Sequence, residues 1–124
     1  MQTVDNTDTI HNLIHHHHEE LFFLTKTLDM ALHDPKTHLD HIIQFLEQYV
    51  ITHFDAEEAL MQQHQFSGYD YHYNQHQGFK RTVATLRPLY DQNAYTHLMF
   101  CIRKLTDKLI VHIHTVDRQL LDLR

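Results

Sequence analysis

Histidines and a carboxylate interrupt the apolar stripes of this chain at spacings that suit metal binding. The sequence has 15 histidines in 124 residues, which is a large excess. His53 and Glu57 are four residues apart, as are His72 and His76, so on helices each pair would share one face, about one turn apart. Both members of a pair can then bind one metal ion, or two neighbouring ions.

The remaining amphipathic segments carry imidazole groups on their apolar stripes as well. His112 continues the stripe formed by Leu105 and Leu109, and both His17 and His18 lie on the stripe of the first segment. Burying an unpartnered polar group costs roughly 2–7 kcal/mol, whereas a whole domain is stable by only about 5–15 kcal/mol. We therefore expect these groups to share a metal site, in which each buried nitrogen or oxygen binds a cation.

The number of candidate ligands indicates two ions rather than one. Five histidines and two carboxylates, Glu57 with Asp117 as the second candidate, exceed what a single ion binds. Two ions bridged by the carboxylates account for that number. Imidazole with some carboxylate suits iron, copper, zinc or nickel, and it excludes a calcium site built from oxygen ligands.

Long helices must position these residues. The chain has only two glycines and two prolines, which argues against an all-β fold with its many turns. Apolar residues at spacings of three and four predict four helices, over about 9–33, 35–65, 70–87 and 93–116. Connections of about four to six residues favour antiparallel neighbours. We therefore predict an all-α fold, an antiparallel up-down-up-down four-helix bundle.

The ends of these helices carry their own signals. Asp34 is expected to cap the second helix and Pro35 to begin it, while Pro88 is expected to limit the far end of the third. A short C-terminal helical tail is expected to pack back on the bundle through Leu120, Leu121 and Leu123.

With the helices assigned, the order of the motifs resembles one known family. The matching residues are His53-Phe54-Asp55-Ala56-Glu57-Glu58, Met61, His72-x-x-x-His76-x-x-Phe79, His112-Ile113 and Asp117. They are similar to the hemerythrins, di-iron four-helix bundles that bind dioxygen reversibly, and most of all to the bacterial single-domain members. The resemblance covers about Ile14 to Asp117. The chain has no Trp, and Lys108 stands where the family usually has one.

The resemblance implies a cofactor of two iron ions (Fe2+/Fe3+) joined by an oxo or hydroxo bridge. The implied ligands are His72, His76 and His112 on one iron, His18 and His53 on the other, and Glu57 and Asp117 bridging the two. The iron with two histidines is one ligand short and would bind dioxygen. The implied oxygen pocket is an apolar wall of Leu21, Phe54, Leu109 and Ile113.

The first ligand of this set has an alternative. His18 completes the family's His-x-x-Leu-Phe pattern through Leu21 and Phe22, but His17 lies equally well on the apolar stripe. The other histidines are expected to be solvated surface residues; they include His11, His33, His38, His41, His64, His97 and His114.

This pattern of ligands is compatible with several functions. The resemblance favours oxygen storage or carriage, which is not an enzymatic role, and the alternatives are an oxygen or redox sensor, an iron- or peroxide-handling protein, or a histidine-rich metal buffer. A reductase or signalling protein is a possible partner. The ferritin-like di-iron enzymes carry Glu-x-x-His on two helices, and this spacing occurs nowhere in the chain.

Composition excludes other classes of function. The formal net charge of −6, with histidines neutral, disfavours nucleic acid as a partner, and no apolar run is long enough to predict a membrane span. Cys101 is the only cysteine, which favours a reducing compartment, and we expect a cytoplasmic protein. The length predicts one domain over 1–124. The oligomeric state is open.

Overall fold

The computed structural model of the protein describes residues 7–31 and 33–122, and over this part of the chain it is all-helical. The elements are α1 (Thr7–Met30), α2 (Pro35–Gln63), α3 (Tyr69–Ala84), α4 (Leu86–Asp91), α5 (Tyr95–Thr115) and a C-terminal 3-10 helix (Asp117–Asp122). The predicted all-α class is confirmed. No helix in the described ranges is long and apolar enough to cross a membrane.

Apolar side chains from these helices form two core clusters. α1 packs against α2 and α5, and α2 also packs against α3, α4 and the 3-10 helix. The larger cluster gathers aliphatic and aromatic residues from α1, α2, α3, α4 and α5, and the smaller consists of Ile14, Leu60, Met61 and Leu120. On α2 the larger cluster ends at Phe54 and the smaller begins at Leu60, so His53 and Glu57 lie at the boundary. One layer of polar side chains therefore lies between the two apolar clusters.

The start of α2 follows the sequence prediction. The side chain of Asp34 accepts a hydrogen bond from the backbone N–H of Thr37 at 3.5 Å, and Pro35 is the first helical residue. The C-terminal tail also packs as expected, since Leu120 is buried. Leu121 lies in the 3-10 helix, and Leu123 lies outside the described residues.

The third predicted helix is divided in two by the structure. α3 ends at Ala84, and Pro88 lies in the first turn of α4 instead of ending a helix. Proline is tolerated there because the first backbone N–H groups of a helix have no intrahelical acceptor. The chain then turns into α5 through Asn93, which has a φ of 60°. Asparagine adopts this left-handed conformation more readily than most residues.

Candidate metal centre

Seven polar side chains meet at the level between the two core clusters. They come from α1, α2, α3, α5 and the 3-10 helix, and they are His18, His53, Glu57, His72, His76, His112 and Asp117. All except His18 are at most 4% exposed, and the side chain of His18 is 14% exposed. These are the residues that the sequence analysis singled out as ligands, and the structure brings all seven together.

The seven side chains form two groups that share both carboxylates. In each group the possible ligand atoms lie within 4.8 Å of one another. The first group is Glu57, His72, His76, His112 and Asp117, and the second is His18, His53, Glu57 and Asp117. The buried groups could hold a metal ion, and this division is the one implied by the resemblance for two irons.

Glu57 directs a different oxygen toward each group. Its Oε1 lies 2.9 Å from Nε2 of His76 and 3.4 Å from Nε2 of His72. Its Oε2 lies 3.2 Å from Nε2 of His53 and 3.8 Å from Nε2 of His18. One carboxylate therefore faces both groups at once.

Asp117 repeats this arrangement from the other side of the cluster. Its Oδ1 lies 2.8 Å from Nε2 of His112 and 2.9 Å from Nε2 of His72. Its Oδ2 lies 3.1 Å from Nε2 of His18 and 3.9 Å from Nε2 of His53. Each of the two carboxylates therefore presents one oxygen to each group.

Several of these atoms lack a hydrogen bond despite their short distances. Within the described part of the chain, the buried atoms without a partner include Nε2 of His53, His72 and His112, Oε2 of Glu57 and Oδ1 of Asp117. Nε2 of His112 is only 2.8 Å from Oδ1 of Asp117, so orientation rather than distance prevents the bond. Unpaired buried polar atoms are rare and costly in native proteins. A metal ion between them would bind these lone pairs, so the donor set fits a metal.

Without a metal ion, His53 and His72 hold their protons more tightly than a free histidine does. Burial disfavours the charged form of His53, but the carboxylates of Glu57 and Asp117 outweigh it and raise the pKa of His53 to about 9. The same carboxylates raise the pKa of His72 to about 9, again against burial. Burial would raise the pKa of Glu57, yet the surrounding histidines, His53 first, hold that pKa well below its usual range. The pKa of Asp117 is lowered by its histidine partners against burial and the charge of Glu57.

Two residues outside the cluster, Glu58 and Gln75, orient two of the three rings of the three-histidine group. Nδ1 of His76 donates to Oε2 of Glu58 at 2.7 Å, and Nδ1 of His112 donates to Oε1 of Gln75 at 2.6 Å. With the proton held on Nδ1, the Nε2 of a neutral ring keeps its lone pair for a metal ion. Sequence reasoning gave neither partner a role, although Glu58 lies in the matched motif. For Gln75, the position directly beside His76 is the only signal that could have found it.

His17 lies behind the cluster rather than in it. Its Nδ1 is 3.1 Å from Nδ1 of His53, and it contributes no atom to either group. Burial and the charge of nearby His53 lower the pKa of His17, so it is suited to accept the Nδ1 proton of His53. Between the two candidates for the first ligand, His18 is therefore the one that faces the carboxylates.

Aromatic rings pack against the histidines of both groups. Phe54 stacks on His76 with ring centroids 3.9 Å apart and an interplanar angle of 2°. Tyr49, which sequence reasoning did not single out, stacks on His53 at 4.5 Å and 16°. The four residues of the implied oxygen pocket all belong to the larger core cluster: Leu21, Phe54, Leu109 and Ile113. Apolar groups therefore line the side of the seven polar side chains that faces the larger core cluster.

A small cleft reaches the two-histidine group from the surface. It has a volume of about 260 Å³ and is lined by His18, Ile113, His114, Asp117 and Arg118. His18 is the most exposed of the seven clustered side chains, so this cleft gives a small solute a path to the two-histidine group.

The other histidines predicted to lie at the surface are exposed or partly buried. None of the seven predicted to be solvated is buried, namely His11, His33, His38, His41, His64, His97 and His114. His11 is partly buried, and its Nε2 donates to the backbone carbonyl of Leu120 at 3.2 Å, which ties α1 to the C-terminal tail.

Comparisons of the chain with protein-family models, with curated proteins and with solved structures found no match. What the site can do therefore follows from its geometry alone. That geometry is a buried cluster of histidines and carboxylates that could hold a metal ion.

Proposed function

We propose that this protein is a hemerythrin-type, non-haem di-iron protein that binds dioxygen reversibly, for storage or carriage. One observation carries the proposal: Glu57 and Asp117 each present different oxygens to two separate histidine groups. A site for a single ion has no need for two carboxylates that both face a second set of imidazoles. Two bridged ions would give a partner to each carboxylate oxygen of Glu57 and Asp117 and to the histidine nitrogens that face them.

The difference between the two groups supports binding of an exogenous ligand. The first group offers three histidines beside the carboxylates, whereas the second offers only His18 and His53. An ion in the second group would have one protein ligand fewer, so it is the ion with a position to spare. The cleft beside His18 leads to this group, which suits a ligand as small as dioxygen.

The donor atoms are compatible with iron. Imidazole nitrogen suits iron, copper, zinc and nickel, and of these zinc has no redox chemistry. We propose iron because the order of the ligands resembles that of the hemerythrins. When bound, two ferrous ions supply the two electrons that reversible dioxygen binding takes up and returns.

The residues of the chain itself would orient the ligands and exclude water. Glu58 and Gln75 hold the rings of His76 and His112 with Nε2 toward the cluster. Leu21, Phe54 and Leu109 are fully buried, and this apolar wall would keep water from the bound ligand. A dry, shaped site of this kind favours reversible binding over irreversible oxidation.

We also propose that the helices form an up-down-up-down antiparallel four-helix bundle, with α4 as a short extension between α3 and α5. Helices that follow one another along the chain pack together, and the connections between the long helices are short, which supports antiparallel neighbours. In such a bundle each long helix delivers its histidines to one shared level.

An optical titration tests the proposed activity. Iron-loaded protein is reduced without oxygen, exposed to air and then degassed, and its visible spectrum is recorded at each stage. We expect a charge-transfer band that appears in air and disappears on degassing. Immediate conversion to a stable oxidised form that degassing does not reverse would contradict reversible binding.

Two variants test the ligand assignment. Glu57→Ala and His76→Ala should each lose at least one iron per chain, because each removes a buried donor, while His15→Ala, at an exposed histidine of the same helix as His18, should lose none. The assignment is wrong if both cluster variants retain the iron content of the parent protein.

One observation favours a second candidate function. The 14% exposure of the His18 side chain and its cleft give water and peroxide access to the two-histidine group. Rapid oxidation at an accessible site suits a redox sensor or an iron- or peroxide-handling protein. The same optical titration separates the two functions, since only the first restores the reduced spectrum on degassing.

A further inference from the structure

A second, larger cleft lies between α3 and α5, on a different part of the surface from the cleft at His18. Its volume is about 680 Å³, within the range of pockets that hold small organic ligands, about 300–1,000 Å³. α3 and α5 make few direct contacts, although each packs against α4. The space between them is therefore open to a ligand.

The walls of this cleft combine an apolar surface with positive charge. Phe79, Leu105 and Val111 supply apolar surface, and Lys104 and Lys108 lie one turn apart on α5. No Asp or Glu lines the cleft, and neither lysine forms an ion pair with the described part of the chain. In a protein with a net charge of −6, this local excess of cations favours an anionic ligand.

A glycine in the middle of α3 also points to a ligand. Gly78 lies in the wall of the cleft, and glycine is the least favourable residue in a helix interior after proline. Helix packing does not require it, because a Cβ there would meet only a side-chain nitrogen of Arg81, at 3.8 Å. The absent side chain therefore leaves this part of the cleft wall open.

We propose that the cleft between α3 and α5 binds an organic carboxylate with an apolar body, such as a medium-chain fatty acid. The carboxylate would pair with Lys104 and Lys108 at the surface, and the apolar body would lie against Phe79 and Leu105. This ligand matches the volume, the apolar walls and the sign of the charge together. A purely inorganic anion would leave the apolar walls exposed, and a neutral lipid would leave both lysines without a counter-charge.

The cleft is separate from the two-histidine group but adjoins the other one. His112 and its partner Gln75 line it, so a bound carboxylate would lie next to the three-histidine group without replacing any of its ligands. The inference depends only on the cleft and not on iron or dioxygen binding.

Calorimetric titration of the whole chain with octanoate tests this proposal. Octanol has the apolar body without the charge, and acetate has the charge without the body, so both serve as matched probes. We expect octanoate to saturate one site per chain and to bind at least tenfold more tightly than either. Acetate also controls for carboxylate binding at a metal ion.

Variants locate the site. The double variant Lys104→Met, Lys108→Met should weaken octanoate binding about tenfold, since each exposed ion pair contributes a few-fold, while Lys26→Met, at an exposed lysine on α1, should have no effect. Gly78→Leu should abolish binding and leave the protein folded, because the added side chain enters open space. The proposal is overturned if octanoate does not saturate, if octanol or acetate binds equally well, or if either the double variant or Gly78→Leu binds octanoate like the parent.

Discussion

Raising the pH should destabilise the metal-free protein, because protons take the place of metal in the cluster. The pKa of His53 is about 9 in the folded protein, against 6.5 for an unperturbed histidine. The folded state therefore binds this proton more tightly than the unfolded state. Its contribution to the free energy of unfolding is complete below about pH 6.5 and is lost as the pH rises through about 9.

The size of the effect follows from the same pKa. The shift of His53 from 6.5 to about 9 corresponds to about 3 kcal/mol, and His72, with a pKa also raised to about 9, acts in the same direction. Glu57 and Asp117 add no change in this window, because their lowered pKa values keep them ionised throughout. A loss of about 3 kcal/mol from His53 alone is a large part of the roughly 5–15 kcal/mol that stabilises a typical domain.

Urea denaturation followed by far-ultraviolet circular dichroism measures this loss. The protein is treated with a chelator and unfolded at about pH 5.5, below the unfolded pKa, and at about pH 9.5, above the folded pKa. His15→Gln, at an exposed histidine, should show the same pH dependence as the parent. Iron-loaded protein should show the opposite trend, because metal binding requires the histidines to lose their protons. Equal stability of the chelated protein at the two pH values would refute the electrostatic description of the cluster.

Three further substitutions test single contacts. Glu58→Gln removes the charged acceptor 2.7 Å from Nδ1 of His76 and should weaken metal affinity about 10- to 100-fold in a competition titration with a coloured chelator. Ile43→Ala, at a fully buried position, should cost about 2–5 kcal/mol in urea denaturation. Arg87→Met breaks the ion pairs that join α4 to α2, with Asp40 at 2.6 Å and with Glu47 at 3.1 Å, and should cost about 1 kcal/mol, with a smaller cost in high salt.

For each of these substitutions, one result would contradict the physical cause assigned to it. Unchanged metal affinity in Glu58→Gln would mean that the outer carboxylate does not tune the ring of His76. A cost below about 1 kcal/mol in Ile43→Ala would mean that the core at this position collapses or is loosely packed. An effect of Arg87→Met that does not depend on salt would assign its cost to packing rather than to charge.

The helices and the ligand spacing could be predicted from the sequence because both are local. Apolar residues three and four apart define the buried face of α2, and on that same face His53 and Glu57 replace apolar residues. The break between α3 and α4 could not be predicted in this way. Only His72, His76 and Val83 are buried on α3, so its apolar stripe is too sparse to fix the end of the helix, and Pro88 is compatible with either arrangement.

The support around the cluster depends on tertiary contacts, which a single sequence does not reveal. Gln75 reaches His112 across 37 positions of the chain, and Tyr49 has the spacing of an ordinary core residue although it stacks on His53. The choice between His17 and His18 likewise needed the position of α1 against α2, since both lie on one stripe. The carboxylate oxygens that face both groups become visible only when all the elements are in place.

The claim that two metal ions share both carboxylates is tested most directly by iron analysis combined with electron paramagnetic resonance of the oxidised protein. We expect two irons per chain and no signal from isolated ferric ions, because bridged ions couple their spins. One iron per chain with the signal of an isolated ferric ion would contradict this claim.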